Sequence, residues 1–328
     1  MKLYFQPSGS ASGDGAAVRR RWDGFIAAAA AAAPPGTIVF RAAEADAVIH
    51  GLQEQYDTAA LHRLARPLSS ADLRRFVWDW GDRPTGRYSG FYCSLESRLF
   101  DARRHRTSCY PVAFNEMVDA GDQTDAVYDF GFVGGLSAGV RPRIFERLGP
   151  RQAQDNSFLR QQGADWGQTF GRGETDLKRG YADFLRQTRF VLCPRGYGVG
   201  SARMFETMKA GRVPVIISDD YVLPEGIDWT TCSLRIGEHQ IDDIPALVAS
   251  RLPDWPNMAA EARQAWEDHF SESRIVRRMA DEIEAISADL PAADLGYQLR
   301  YGAGIAATFA ALHARPTLGR LKRALTRG

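Results

Sequence analysis

Short apolar runs rich in β-branched and aromatic residues alternate along the chain with longer alanine-rich or amphipathic segments. In the first third, Lys2–Phe5, Thr37–Phe40, Ala47–His50, Phe76–Trp78, Tyr88–Ser94 and Cys109–Val112 are predicted strands or extended pieces. A helix is predicted over Ala16–Ala33, because alanine is the best helix former and Pro34, Pro35 and Gly36 stop it. Ala71–Arg75 reads as a helical or turn segment. Further on, Tyr128–Gly135, Phe190–Cys193, Val213–Ile217 and Leu234–Ile236 are predicted strands. Helices are expected over 140–148, 177–186, 201–211 and 244–251. Amphipathic helices over 257–269 and 272–287 are expected to cover the second half. The polar, glycine-containing stretch Gln152–Gly173 reads as irregular. Two successive βα-rich halves imply two α/β domains with parallel sheets. The expected divisions are 1–125, 126–290 and a tail, 291–328.

Chemistry concentrates in Arg189–Pro224, which reads RFVLCPRGYGVGSARMFETMKAGRVPVIISDDYVLP. It is a strand, a glycine-rich loop, a helix capped by Ser201 and a second strand. The loop-to-helix corner suits a phosphate, because the first N–H groups of a helix lack partners and the helix dipole is positive there. Gly196, Gly198 and Gly200 allow backbone to approach a ligand without a Cβ in the way. Arg195 and Arg203 add charge and forked donors. Glu206 lies on the first turns of the helix, where it can accept from the vicinal hydroxyls of a ribose. The alternative is an ordinary βα loop whose glycines serve a tight turn. Arg141 and Arg143 head another helix, which is either a second phosphate-facing terminus or a solvated basic face. Asp79 and Asp82 sit on a loop after a strand; their alternative is a surface or turn carboxylate. His50 at a strand end reads as structural rather than as a ligand.

Length and composition narrow the classes. The 328 residues are enough for two domains, and 41 basic against 40 acidic side chains exclude nucleic acid as an overall partner. Cys93, Cys109, Cys193 and Cys232 are scattered without CxxC spacing. They read as reduced thiols, with neither a zinc site nor a disulfide framework. The start, MKLYFQPSGS, is too polar for a signal peptide, and no apolar run approaches a membrane span. With its alanine–arginine bias the chain reads as bacterial and cytoplasmic. From Gly296 onward there is no acidic residue, while Arg320, Lys322, Arg323 and Arg327 interleave with Leu318, Leu321 and Leu325. That pattern suits peripheral contact with an anionic inner-membrane surface; the alternatives are a frayed tail or a helix docked on the first domain.

The central stretch resembles the donor-binding region of the exostosin family, glycosyltransferase family 47. The residues carrying the resemblance are Phe190, Leu192, Pro194 and Gly196, then Ser201, Arg203 and Glu206. Gly211, Val213–Ile216, Asp220, Tyr221, Leu223 and Pro224 follow in order. Upstream, Phe76–Trp78 followed by Asp79, Trp80, Gly81 and Pro84 partly matches a family strand and loop. Here Trp78 stands in place of a histidine, and Asp82 and Arg83 intervene. The resemblance implies a GT-B-like fold, two Rossmann-like domains facing across a cleft. It implies transfer of a sugar from a nucleotide donor, a UDP-sugar by family habit, to a glycan or glycolipid hydroxyl. The expected chemistry is inverting and metal-independent, without a cofactor, with Arg141, Arg195, Gly196, Gly198, Ser201, Arg203, Glu206 and Asp220 on the donor. Asp79 and Asp82 are the first choices for the base, ahead of Glu96 and Glu116. By context the product is a bacterial surface polysaccharide. A non-catalytic nucleotide-sugar-binding subunit and a GT-B sugar-nucleotide epimerase remain open.

Overall fold

A computed structural model describes residues 1–6, 14–52, 74–111, 115–136, 139–162 and 175–289. The basic tail and the loop after the first strand lie outside the described residues.

The chain forms two five-stranded sheets in which every pairing between neighbouring strands is parallel. The first contains β1 (Leu3–Gln6), β2 (Ala47–Leu52), β3 (Arg74–Asp79), β4 (Gly90–Tyr92) and β5 (His105–Thr107), side by side in that order. Helix α1 (Asp14–Ala32) follows β1. Ile38 forms a single bridge to Leu3 on the edge of β1 away from β2. The winding therefore reverses between β1 and β2. The second sheet has the order β10-β9-β8-β6-β7, built from β6 (Tyr128–Gly134), β7 (Ser157–Gln161), β8 (Thr188–Pro194), β9 (Val213–Ile217) and β10 (Leu234–Ile236). Its helices are α2 (Val140–Leu148), α3 (Thr175–Gln187), α4 (Ala202–Lys209), α5 (Trp229–Cys232), α6 (Ile244–Arg251), α7 (Trp255–His269) and α8 (Glu272–Asp289). This is the doubly wound order in which ligands bind at the carboxyl ends of the two strands flanking the reversal, here β6 and β8. Two Rossmann-like α/β halves in one chain give the expected GT-B-like architecture.

Three local expectations are corrected. Thr37–Phe40 is not a strand: it makes one bridge at a sheet edge, and Phe40 is 73% exposed. Cys109–Val112 is not a strand among its described residues. The Cys109 carbonyl instead accepts from Trp78 Nε1 and Cys93 Sγ, so side chains replace a ladder there. Conversely, the stretch read as irregular holds β7, whose Leu159 is buried against β6.

The halves share packing. Trp22 of α1 stacks on Trp80 at 5.1 Å and meets Trp78 edge-on at 5.7 Å. That cluster continues into Val191, Cys193, Met204 and Phe205 of the second half. Helix α8, expected to cover the second half, packs on α7 of that half and also on α1 of the first, and buries Ile275, Val276, Met279, Ile283 and Ile286 in this shared core. A continuous apolar core therefore joins the two halves behind the loops at the strand ends.

Candidate functional site

The carboxyl ends of β6 and β8 are bound together by Arg141. Its Nε donates to the Arg195 carbonyl at 3.0 Å, and its other nitrogens reach the Gly135 and Pro194 carbonyls at 3.5 Å. Burial, reinforced by the Arg203 charge, lowers its pKa to about 10, so it stays cationic at neutral pH.

Arg203 comes from the first turn of α4. Its Nη2 donates to the Val133 carbonyl at 2.7 Å, and its guanidinium lies over the Phe132 ring at 4.5 Å. Gly134 leaves room beside it: a Cβ there would come within 2.8 Å of Arg203 Nη2 and the guanidinium would have to shift. Arg203 Nε and Nη1 are buried and have no hydrogen-bond partner among the described residues. Two guanidiniums thus sit together at the reversal point, and one keeps two N–H donors in reserve. A buried donor without a partner costs stability unless something else satisfies it. A corner of this kind can take up an anion.

The other expected donor residues are placed differently. Arg195 is bound to Glu238 at 2.7 Å, a partner that nothing in the motif signals. Glu238 is in turn fixed by Asp219, whose Oδ1 accepts from the Glu238 N–H at 3.0 Å. Ser201 occupies the position before α4 with extended backbone, but its hydroxyl makes no capping bond, contrary to expectation. Gly196 is half-buried in the loop. Gly198 and Gly200 were expected to admit a ligand; here they admit protein. A Cβ on Gly198 would lie 2.2 Å from the Asp82 carbonyl oxygen, and one on Gly200 would lie 2.1 Å from that of Cys93.

Glu206 is 7% exposed. Its Oε1 accepts from the Asn115 N–H and its Oε2 from the Tyr181 hydroxyl, both at 3.0 Å. Burial raises its pKa against the pull of those two donors and of Arg203. A ribose contact at Glu206 would have to reach the remaining lone pairs of these buried oxygens or displace a partner. Asp220 is exposed, and its carbonyl accepts from the Ser97 N–H at 2.9 Å.

The two favoured base candidates also separate. Asp79 is 1% exposed, and its Oδ1 accepts from the Gly81 N–H at 2.7 Å. It closes a turn and is almost fully buried, which counts against its expected role as base. Asp82 is half-buried, and its charge acts on Arg141 across the junction of the halves. Glu116 pairs with Lys178 at 2.7 Å and Glu96 with Arg98 at 2.5 Å, both on exposed surface. His50 is buried in β2, and no group of metal-ligating side chains occurs among the described residues. A hollow lined by Asp122, Asp125, Asp183 and Arg186 lies at the amino ends of β6 and β8, the far side from Arg203.

Sequence reasoning missed Tyr181, Asn115, Phe132, Glu238 and Ser94. Each acts through a residue distant in the chain, and none falls in a spaced motif with its partner.

Comparison with known proteins places residues 109–251 in the Exostosin GT47 domain model. The chain is 42% identical over 72 residues to the Exostosin-1 homolog of Caenorhabditis elegans, covering 21% of this chain and 19% of that protein. It is 33% identical over 100 residues to Exostosin-2 of Bos taurus, covering 29% of this chain and 14% of that protein. The chain thus spans about a fifth or less of the curated relatives it matches here. Among solved structures it is similar to Anabaena HepE in complex with UDP, at 9% identity and a TM-score of 0.41, covering 87% of this chain and 99% of that one. It is also similar to WaaG, a glycosyltransferase involved in lipopolysaccharide biosynthesis, at 11% identity and a TM-score of 0.40, covering 89% and 100%.

Proposed function

Because residues 109–251 belong to the exostosin GT47 family, we propose that the protein is a glycosyltransferase that moves a sugar from a nucleotide donor, a UDP-sugar, to a hydroxyl of a glycan or glycolipid. The observation that carries this reading is Arg203, whose two unpartnered buried N–H groups lie beside Arg141 where β6 and β8 end. A diphosphate would satisfy them. As the bond from sugar to phosphate breaks, charge grows on the leaving diphosphate, and fixed cations already in place lower that barrier.

In this reading the reaction is a single inverting displacement. Asp82 takes the proton from the acceptor hydroxyl, which then attacks the anomeric carbon while the nucleoside diphosphate leaves. The two arginines do the work a divalent ion does elsewhere. The product would be a bacterial surface polysaccharide or glycolipid, made in the cytoplasm at the inner membrane, with the basic tail as the contact.

One observation favours a second reading, nucleotide-sugar binding without transfer: Asp79 is sealed by Gly81, which leaves Asp82 as the single favoured carboxylate at the junction. Measuring UDP release from a panel of UDP-sugars, with and without oligosaccharide or lipid-linked acceptors, separates the two. Acceptor-dependent release that persists in EDTA is the expected result. UDP binding without release supports the second reading, and release that requires added manganese overturns the metal-independent mechanism.

A further inference from the structure

We propose that Ser94, outside the family-matched span, is a positioning residue that clamps the candidate donor loop to the loop bearing Asp82. Its catalytic consequence rests on the function proposed above; the clamp itself does not.

Ser94 is 1% exposed in the first half, just past β4. Its Oγ accepts from the Gly200 N–H at 2.9 Å and donates to the Asp82 carbonyl at 3.3 Å. A hydroxyl is both acceptor and donor, so one side chain links the two loops in a directed chain, from N–H to O–H to C=O. The residues around it leave no slack. A Cβ on Gly198 would approach Ser94 Oγ to 2.1 Å, and one on Gly200 would approach the Tyr110 hydroxyl to 2.7 Å.

The same seam is fastened at other points. Arg83 Nε reaches the Tyr197 carbonyl at 3.4 Å, the Ser97 N–H donates to the Asp220 carbonyl at 2.9 Å, and Glu96 bridges Tyr221 in antiparallel fashion. The donor loop of the second half therefore takes its shape from residues 82–97 of the first. Gly200 immediately precedes Ser201 and α4, which carries Arg203. Displacing the loop would move the diphosphate cations relative to the Asp82 carboxylate, and misplacement by about 1 Å can cost up to about a hundredfold in rate.

The test compares Ser94→Ala and Ser94→Thr with the parent chain. Hydrogen exchange is followed in peptides spanning residues 195–203. UDP release from UDP-glucose, or from whichever UDP-sugar the parent turns over, is measured alongside. In Ser94→Ala, exchange in that span should accelerate and kcat should fall about tenfold, the size of one lost hydrogen bond, while the KM for the donor moves much less. Ser94→Thr, which keeps the hydroxyl, should restore both. Unchanged exchange in Ser94→Ala overturns the clamp. Equal loss of kcat and donor affinity, accompanied by a lower melting temperature and no recovery in Ser94→Thr, reduces Ser94 to a fold residue and also overturns the proposal. If the parent releases no UDP from any UDP-sugar, the proposed function fails, and the exchange arm still decides the clamp.

Discussion

The two halves end their central strands in opposite ways. At the end of β3 the carboxylate and the carbonyl of Asp79 are both committed to the fold, while the Trp80 indole N–H is buried without a hydrogen-bond partner among the described residues. The Asp79 carboxylate holds the Gly81 N–H, its carbonyl accepts from the Cys93 N–H, and Trp80 stacks on Trp22. At the ends of β6 and β8, Arg203 keeps two buried N–H groups without partners among the described residues, and Arg141 stands next to it. Both corners lie at carboxyl ends of parallel strands, but only the second flanks a reversal of the winding, the position where doubly wound sheets bind ligands. Winding and side-chain commitment therefore favour the same corner, because the reversal between β6 and β8 coincides with the unpartnered Arg203 nitrogens. The second half keeps unsatisfied charge; the first supplies a rigid wall and, on the loop beyond, Asp82.

The largest test of this contrast sets Asp79 against Asp82. Asp82→Asn should lower transfer by about a hundredfold to ten-thousandfold, the range for removing a general base. Asp79→Asn should leave turnover nearly intact, because an asparagine oxygen still accepts from the Gly81 N–H. Both are read as kcat in a UDP-release assay with acceptor present. Near-wild-type turnover in Asp82→Asn removes the catalytic assignment, and a collapse confined to Asp79→Asn reverses the comparison.

Arg203 comes next. Arg203→Met keeps the apolar stem against Phe132 and removes the charge. Loss of charged hydrogen bonds to a diphosphate costs about 1.5–3 kcal/mol, or roughly tenfold to a hundredfold in affinity. Arg195→Met should have a smaller effect, since Arg195 is already paired with Glu238. Calorimetric titration with UDP ranks the two directly. Equal losses would show that the Arg195 pair opens to bind ligand. An unaltered affinity in Arg203→Met would remove the anion site.

Much of this corner could be read in the linear sequence, and the unread part has a common physical cause. Phe190–Cys193 and Val213–Ile217 are short apolar β-forming runs bounded by proline and glycine, so their strands were legible. Arg203 and Glu206 follow from spacing on one helix. Their partners do not. Glu238, Asn115 and Tyr181 reach the motif from 43, 91 and 25 residues away. Gly198 and Gly200 were legible as positions that exclude a Cβ, yet a ligand and another stretch of backbone impose the same demand. Only the fold shows that the Asp82 and Cys93 carbonyls fill that space. Likewise, the turns of helix α8 read as amphipathic from their own pattern, while the surface they cover depends on where α1 lies.

The smallest effect concerns Glu206, an acidic group buried close to Arg203. Burial holds its pKa above the ordinary 4.5. Between 4.5 and that raised value the folded chain binds a proton that the unfolded chain has released. Stability therefore falls as pH rises through this window and levels off above it. Glu206→Gln cannot ionise. Its carbonyl still accepts from the Asn115 N–H, and its amide can donate to the Tyr181 oxygen. The variant should melt close to the parent at the acid end and gain on it toward neutrality, by a few degrees at most in a chain of this size. Glu282, also raised by burial beside Arg278, titrates in both proteins, so the difference between the two melting curves isolates Glu206. Curves that stay parallel across pH would mean that the carboxylate is not held back by burial. UDP titration on the same variant sharpens the comparison with the first half. A large loss of affinity would show that Glu206 takes ribose hydroxyls. An unchanged affinity would make it, like Asp79, a carboxylate committed to the fold.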